Sequence, residues 1–206
     1  SMHIGLKLCR RGFVVFCPRC FLWQGTVDIQ RAASEFLKRR PGTLGMHKML
    51  YDAMRGVDVV TSLPEVDSAR VGAAGHSLGA KEVLYLAAFD ERVQAAVASE
   101  GGVGFNSTNW SDHWYLGSGI NSGDFPLNHH QLIALTAPRA LLLLGGDRGG
   151  AVDGYRTWPY VKAALPAYEL YQNPPRLGLF LHRKGHSLPA VAFRRMAEWL
   201  EAYTAE

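Results

Sequence analysis

Apolar positions along this chain follow two rhythms that take turns. Short unbroken runs, Phe13-Val14-Val15-Phe16, Val71-Gly72-Ala73-Ala74, Val93 to Ala98, Ala140 to Leu144 and Leu177 to Leu181, read as buried strands. Between them, Met46, Met49, Leu50, Ala53, Met54, Val57 and Val60 recur at spacings of three and four, which predicts an amphipathic helix over 46–61 that stops before Pro64. Helices are likewise predicted over 79–89, 129–136 and 190–203, the last carrying Val191, Phe193, Met196, Trp199 and Leu200. Ile4 to Arg11 reads as a short helix closed by Gly12, and residues around 29–38 as another. Gly154 to Tyr171 forms a helix kinked by Pro159 and Pro166. A strand followed by a helix, several times over, is the alternation of a parallel sheet flanked by helices.

Two stretches break the pattern. Cys17 to Leu44 is a long connection with Trp23, Gly25, Pro41 and Gly42, and connections of that length are usually functional or flexible. Residues 101–128 dissolve into Gly, Ser and Asn with Phe105, Trp110, Trp114 and Tyr115 among them. This loop or cap is either a surface excursion with its own small apolar cluster or the wall of a pocket; loops at strand ends carry the sites of open α/β sheets, which favours the wall.

Composition narrows the picture. A chain of 206 residues with 48% hydrophobic content can bury one substantial core, so residues 1–206 are expected to form a single domain. The net charge of +4 is spread in pairs such as Arg10-Arg11, Arg39-Arg40 and Arg194-Arg195, without the concentrated stripe that a nucleic acid requires. No apolar run reaches the length of a membrane span and the start lacks a signal-peptide core, so a soluble protein without membrane or nucleic-acid partners is expected; the compartment cannot be read. Cys17-Pro18-Arg19-Cys20 has redox or zinc spacing, but no second pair completes a zinc set. With Cys9 it reads as an incidental set of thiols, and no metal is expected.

The chemistry centres on Gly75-His76-Ser77-Leu78-Gly79, between the strand ending near Ala74 and the helix beginning near Gly79. A serine on so tight a strand-to-helix turn is a nucleophile elbow. Glycines at 75 and 79 are expected to remove collisions with neighbouring backbone, and the turn lifts the Ser77 hydroxyl to the start of a helix whose free amides stabilise an oxyanion. With Ser62-Leu63-Pro64-Glu65-Val66-Asp67-Ser68-Ala69-Arg70-Val71-Gly72 leading into it, the motif resembles the dienelactone hydrolase and acetyl xylan esterase branch of the α/β-hydrolases, from about residue 10 to the C-terminus.

A serine hydroxyl needs a base, and the base an acid to orient it, in the chain order Ser, acid, His. His186, in Arg183-Lys184-Gly185-His186-Ser187 after the last strand, occupies the slot in which the resembled branch carries its base. His182, His129 and His130 rank lower, as surface or structural groups. For the acid, the resemblance points to the loop after Leu144, which holds Asp147 and Asp153, with Asp153 slightly ahead on loop position. Either aspartate could instead cap the next helix. A third candidate, Glu100, follows Val97-Ala98-Ser99 and resembles the acid position of some glucuronoyl esterases; its bland alternative is a bond to backbone or to Lys81.

The Leu78 amide is the expected first oxyanion donor. The second donor of the resembled family comes from a loop after its third strand, and the resemblance implies that the sequence given begins just before the fourth, whether or not the natural protein is longer. The fold expectation is therefore an α/β-hydrolase-type, mostly parallel sheet lacking the N-terminal strands, with residues 13–16 either paired beside 71–74 or separated from it by a gap. An open edge there would favour a homodimer. The functional expectation is a cofactor-free serine hydrolase of small acyl or acetylated-carbohydrate esters, with Trp110, Trp114 and Tyr115 lining the substrate. The alternative is an impaired hydrolase fold that binds a ligand, because its oxyanion hole is incomplete.

Overall fold

A computed structural model describes residues 3–23, 25, 28–105, 108–146, 154–171 and 176–205. Four strands form one sheet in the order β1 (Val71–His76), β2 (Val93–Ser99), β3 (Ala140–Gly146) and β4 (Leu177–His182), and every neighbouring pair is parallel. Each strand is shorter than eight residues and mostly apolar. β3 is buried along its whole length, as a central parallel strand covered on both faces must be. The register sets His76 opposite Ser99, Ser99 opposite Leu144, and Gly146 opposite His182, so the four C-terminal ends lie in one row.

Helices cover both faces. In chain order they are α1 (Ile4–Cys9), α2 (Ile29–Arg39), α3 (Gly45–Thr61), α4 (Leu78–Phe89), α5 (His113–Leu116), α6 (His129–Thr136), α7 (Trp158–Glu169) and α8 (Ala190–Thr204). Apolar residues of α3, α4, α6 and α7 close on one sheet face, among them Val57, Leu84, Ile133 and Val161. Met196, Ala197 and Leu200 of α8 and Leu8 of α1 close on the other, over Ala95, Val97 and Leu142. In α7, Pro159 sits in the first turn, where its missing N–H costs nothing, while Pro166 is interior.

A third cluster lies beside the sheet. Residues 101–128 contain short helical turns at Asn109–Ser111, α5 and Ser118–Asn121, and they press Trp110, Trp114, Tyr115 and Ile120 against Leu22, Ala33, Met46 and Met49. Both readings of this stretch therefore meet in one element, an apolar cluster whose inner side walls a cleft.

The expected strand at 13–16 is not there. Residues 13–20 carry no regular structure, and Val14 and Phe16 are about half exposed. Phe13 and Val15 turn toward the α8 cluster, while the Phe16 ring lies where a Cβ on Gly56 of α3 would touch it at 3.4 Å. The unbroken apolar run that resembled a buried strand thus comes from a segment straddling two layers. Among the described residues it makes no backbone ladder with β1, which is an outer strand of the sheet.

Candidate active site

At the row of strand ends, β1 passes into α4 through Ser77 with φ of 58°, a left-handed conformation that a side chain adopts only under local constraint. The constraint is visible: Ser77 N–H donates to Ser99 O at 2.7 Å, while Ser77 O accepts from Ala80 N at 3.0 Å and Lys81 N at 3.3 Å. A Cβ on Gly75 would sit 2.2 Å from the Gly79 carbonyl oxygen, so position 75 must be glycine. Gly79 departs from expectation, since a Cβ there meets nothing within 4 Å. The glycine lines the cleft, and its bareness leaves room rather than relieving a clash.

His186 reaches the serine from the loop after β4. Its Nε2 lies 3.0 Å from Ser77 Oγ. The loop is set by contacts of its own. Ser187 N–H donates to Gly185 O at 2.8 Å, closing a three-residue turn around His186, and Ser187 Oγ donates to Lys184 O at 2.9 Å. Gly185 has φ of 60° and packs so closely on Gly146 that a Cβ there would fall 2.3 Å from the Gly185 oxygen. The His76 ring stands 5.1 Å from that of His186, and His76 Nδ1 lies 3.2 Å from Ser99 Oγ. Burial first, then the neighbouring His186 and His182, pushes His76 down to about 4, so it is neutral at physiological pH.

Of the three acid candidates, Asp147 and Asp153 lie outside the described residues. Glu100 is at the end of β2, also at positive φ, 59°, and only 1% exposed. It does not meet Lys81. Its carboxylate faces His182 at the end of β4, with Nε2 to Oε1 of 2.8 Å in ion-pair range but off hydrogen-bond alignment. Burial raises Glu100 to about 7 against the opposing pull of the Gly146 amide. His182 is thus a buried group rather than a surface one, and His129 is buried as well, between Tyr85 OH at 3.0 Å from its Nε2 and the Val103 carbonyl.

The cleft above Ser77 measures about 1060 Å³. Its floor is His76 to Gly79, one wall is the first turn of α1 with Cys17 and Trp23, and the other is Asn109, Asp112, Trp114 and Tyr115. Trp110 does not line it: the side chain is fully buried, its indole N–H bonded to Gly102 O at 2.9 Å and its face covered by the Lys81 ammonium at 4.0 Å. The helix α4 starts at Leu78, whose amide therefore belongs to a first turn without intrahelical acceptors.

Lys81 entered the sequence reading only as a partner for Glu100, not as a residue of the cleft. One turn after Ser77, it is 4% exposed yet lines the cleft, with Nζ 2.7 Å from Thr108 Oγ1 and 2.9 Å from Asn109 Oδ1. Burial drives it down to about 7, with Asp112 pulling the other way. Its sequence signal was a lone cation, beside Glu82, in a largely apolar helical stretch. The three cysteines are free thiols, and among the described residues no cluster of three or more His, Cys, Asp or Glu could hold a metal.

The model of the dienelactone hydrolase family matches residues 1–113, more than half of the chain. The chain belongs to the dienelactone hydrolase family. Comparison with curated proteins gives no match. Solved structures of similar fold include a carbohydrate esterase family 15 glucuronoyl esterase from Caldicellulosiruptor kristjansonii, with 22% identity, TM-score 0.69, and coverage of 77% of this chain and 50% of that one. A family 15 glucuronoyl esterase from Teredinibacter turnerae gives 21% identity and TM-score 0.68 over 84% and 49%. The glucuronoyl esterase catalytic domain from Hypocrea jecorina gives 18% and 0.68 over 79% and 52%. This dienelactone hydrolase family chain therefore spans about half the length of those structures. The sheet, its flanking helices and their order are of the α/β-hydrolase type.

Proposed function

We propose that this protein is a serine hydrolase of carboxylic esters, acting as one domain with residues 101–128 as its cap. The observation that carries the reading is the 3.0 Å approach of His186 Nε2 to Ser77 Oγ across the elbow. His186 takes the serine proton as Oγ attacks the ester carbonyl, and the Leu78 amide donates to the oxyanion. The imidazolium returns its proton to the leaving alcohol as the carbon–oxygen bond breaks, leaving an acyl-enzyme. Water, deprotonated by the same imidazole, then releases the acid and restores Ser77. Glu100 is the acid that supports the imidazolium. Its support is proximity: it is held at Gly146, the residue against which the Gly185-His186 turn is packed.

The favoured substrates are esters of oxygen-rich molecules such as acylated carbohydrates. Lys81, with two of its donors held by Thr108 and Asn109, sets a polar anchor beside a wall formed by Asn109, Asp112, Trp114 and Tyr115. Structures named as glucuronoyl esterases share the fold, which places uronoyl esters in the same panel of candidates.

The test is labelling with a fluorophosphonate probe, followed by turnover of p-nitrophenyl acetate, acetylated xylo-oligosaccharides and glucuronoyl esters. Fast labelling lost in Ser77→Ala and slowed about 10³-fold or more in His186→Gln supports the reading. Labelling of the wild type no faster than of Ser77→Ala overturns it.

A further inference from the structure

The catalytic groups proposed above leave the buried imidazole of His182 unused. His182 ends β4 directly opposite Gly146 and begins the loop that carries His186. It is 6% exposed and its Nε2 stands 2.8 Å from Glu100 Oε1, so a carboxylate from one side of β3 meets an imidazole from the other, over the end of the strand between them. A surface pair of this kind would be worth little, but here both side chains are withdrawn from water, where an isolated carboxylate is costly.

We infer that His182 is a positioning residue that keeps Glu100 ionised and in place beneath His186, and so sets the acid limit of catalysis. The inference rests on the esterase reading with Glu100 as the acid. Its physical content is the His182 ring with Nε2 2.8 Å from Glu100 Oε1, in ion-pair range without hydrogen-bond alignment, so that it acts through charge. A positive ring there favours the charged carboxylate, and only a charged carboxylate stabilises the imidazolium that His186 becomes during acyl transfer. Burial works the other way and raises Glu100 to about 7, so losing the ring leaves the carboxyl neutral over more of the mildly acidic range, when His186 needs it. Among the described residues, the ionisable groups gathered around the pair include His76 at the end of β1 and His186 on the loop. Arg183 and Lys184 follow on the same loop, and the Gly146 amide at the end of β3 supplies the remaining fixed dipole. Of these, His76 is the neighbour whose own titration falls well below that of Glu100.

The experiment compares pH profiles of kcat/KM for p-nitrophenyl acetate, and of fluorophosphonate labelling rate, in wild type, His182→Leu and His182→Gln. In His182→Leu the acid limb moves up by about one pH unit, a roughly tenfold loss at pH 6 with less than a twofold change at pH 9. His182→Gln, which keeps a polar side chain but no ionisable ring, shows the same shift. A profile for His182→Leu that superimposes on wild type, or that falls by one constant factor at all pH values, overturns the inference, since either means that His182 does not set the charge of Glu100. Wild type that is not labelled at all refutes the esterase reading instead, so the two failures are distinct. Should His182→Leu not fold, the Ser77→Ala protein with native His182 gives a second reading by NMR. The Glu100 carboxyl carbon and the His182 ring must then report the same pair of apparent pKa values, and independent titration of the two overturns the inference.

Discussion

At the scale of single residues, the elbow separates two glycines that look equivalent in the sequence. A methyl group on residue 75 would lie 2.2 Å from the Gly79 carbonyl oxygen, an atom of backbone that cannot move aside. Gly75→Ala is therefore expected to cost about 3 kcal/mol or more, read as a large drop in Tm or as insoluble protein. Gly79→Ala places its methyl in open space within the first turn of α4, where alanine is the better helix former by up to about 1 kcal/mol. That variant is expected to keep or raise Tm and to show its effect in KM, because the methyl enters the cleft. Lys81 makes a different prediction. Its ammonium is disfavoured in the fold, with its titration brought down to about 7, while the unfolded chain keeps a normal lysine near 10.5. Below pH 7 both states are charged and the full burial penalty is present. Between about pH 7 and 10.5 the unfolded state binds the extra proton, so this group's contribution to stability rises with pH. Urea denaturation at pH 7 and pH 9.5 should show wild type gaining on Lys81→Met over that window.

At the scale of elements, the strand ends and loops hold each other. Gly146 closes β3 directly beneath the Gly185-His186 turn, so Gly146→Ala must push the turn outward. We expect kcat to fall at least tenfold while Tm changes much less, measured by turnover beside thermal unfolding. Helix α6 locks the cap through His129, which is 2% exposed, braced by Tyr85 and Val103, and held down to about 4 by burial. Because the unfolded chain protonates this histidine below about 6.5 and the folded chain does not, its contribution to stability falls as pH drops from 6.5 to 4. His129→Asn is expected to be less stable than wild type at pH 7, with the gap narrowing by about 2 kcal/mol at pH 4.5. These elements were largely visible beforehand: the periodicity of Met46 to Val60 matches α3 at Gly45–Thr61, and the apolar run at Leu141 matches β3. The brace at His129 was not, since a histidine in sequence carries no sign of which rings will surround it.

At the scale of the whole molecule, protection should follow the layers. Ala95 to Ala98 and Leu141 to Leu144 lie in the two inner strands, covered from both sides and paired on both edges. Their amides are expected to exchange only on global unfolding, while those of residues 14–19, which make no backbone bond to β1 among the described residues, exchange orders of magnitude faster. Hydrogen exchange with mass spectrometry reads both regions at once. Equal protection in the two regions would mean that 13–16 joins the sheet in solution. The unbroken apolar run of Phe13 to Phe16 could not distinguish these outcomes, because it records only which side chains seek cover. Whether the backbone is paired depends on a neighbouring strand, and neighbours are a property of the assembled sheet.

By itself, the sequence determined what local forces decide. Helix periodicity, unbroken apolar runs and the glycine-flanked serine set the α/β class and most of the element order, while the resemblance to a hydrolase branch pointed to the histidine after the last strand. Only the tertiary structure decided which buried polar groups meet. Burial depth and distance bring Glu100 to His182, place Lys81 on Trp110 and turn Trp110 away from the cleft, and these depend on residues far apart in the chain meeting where water is excluded.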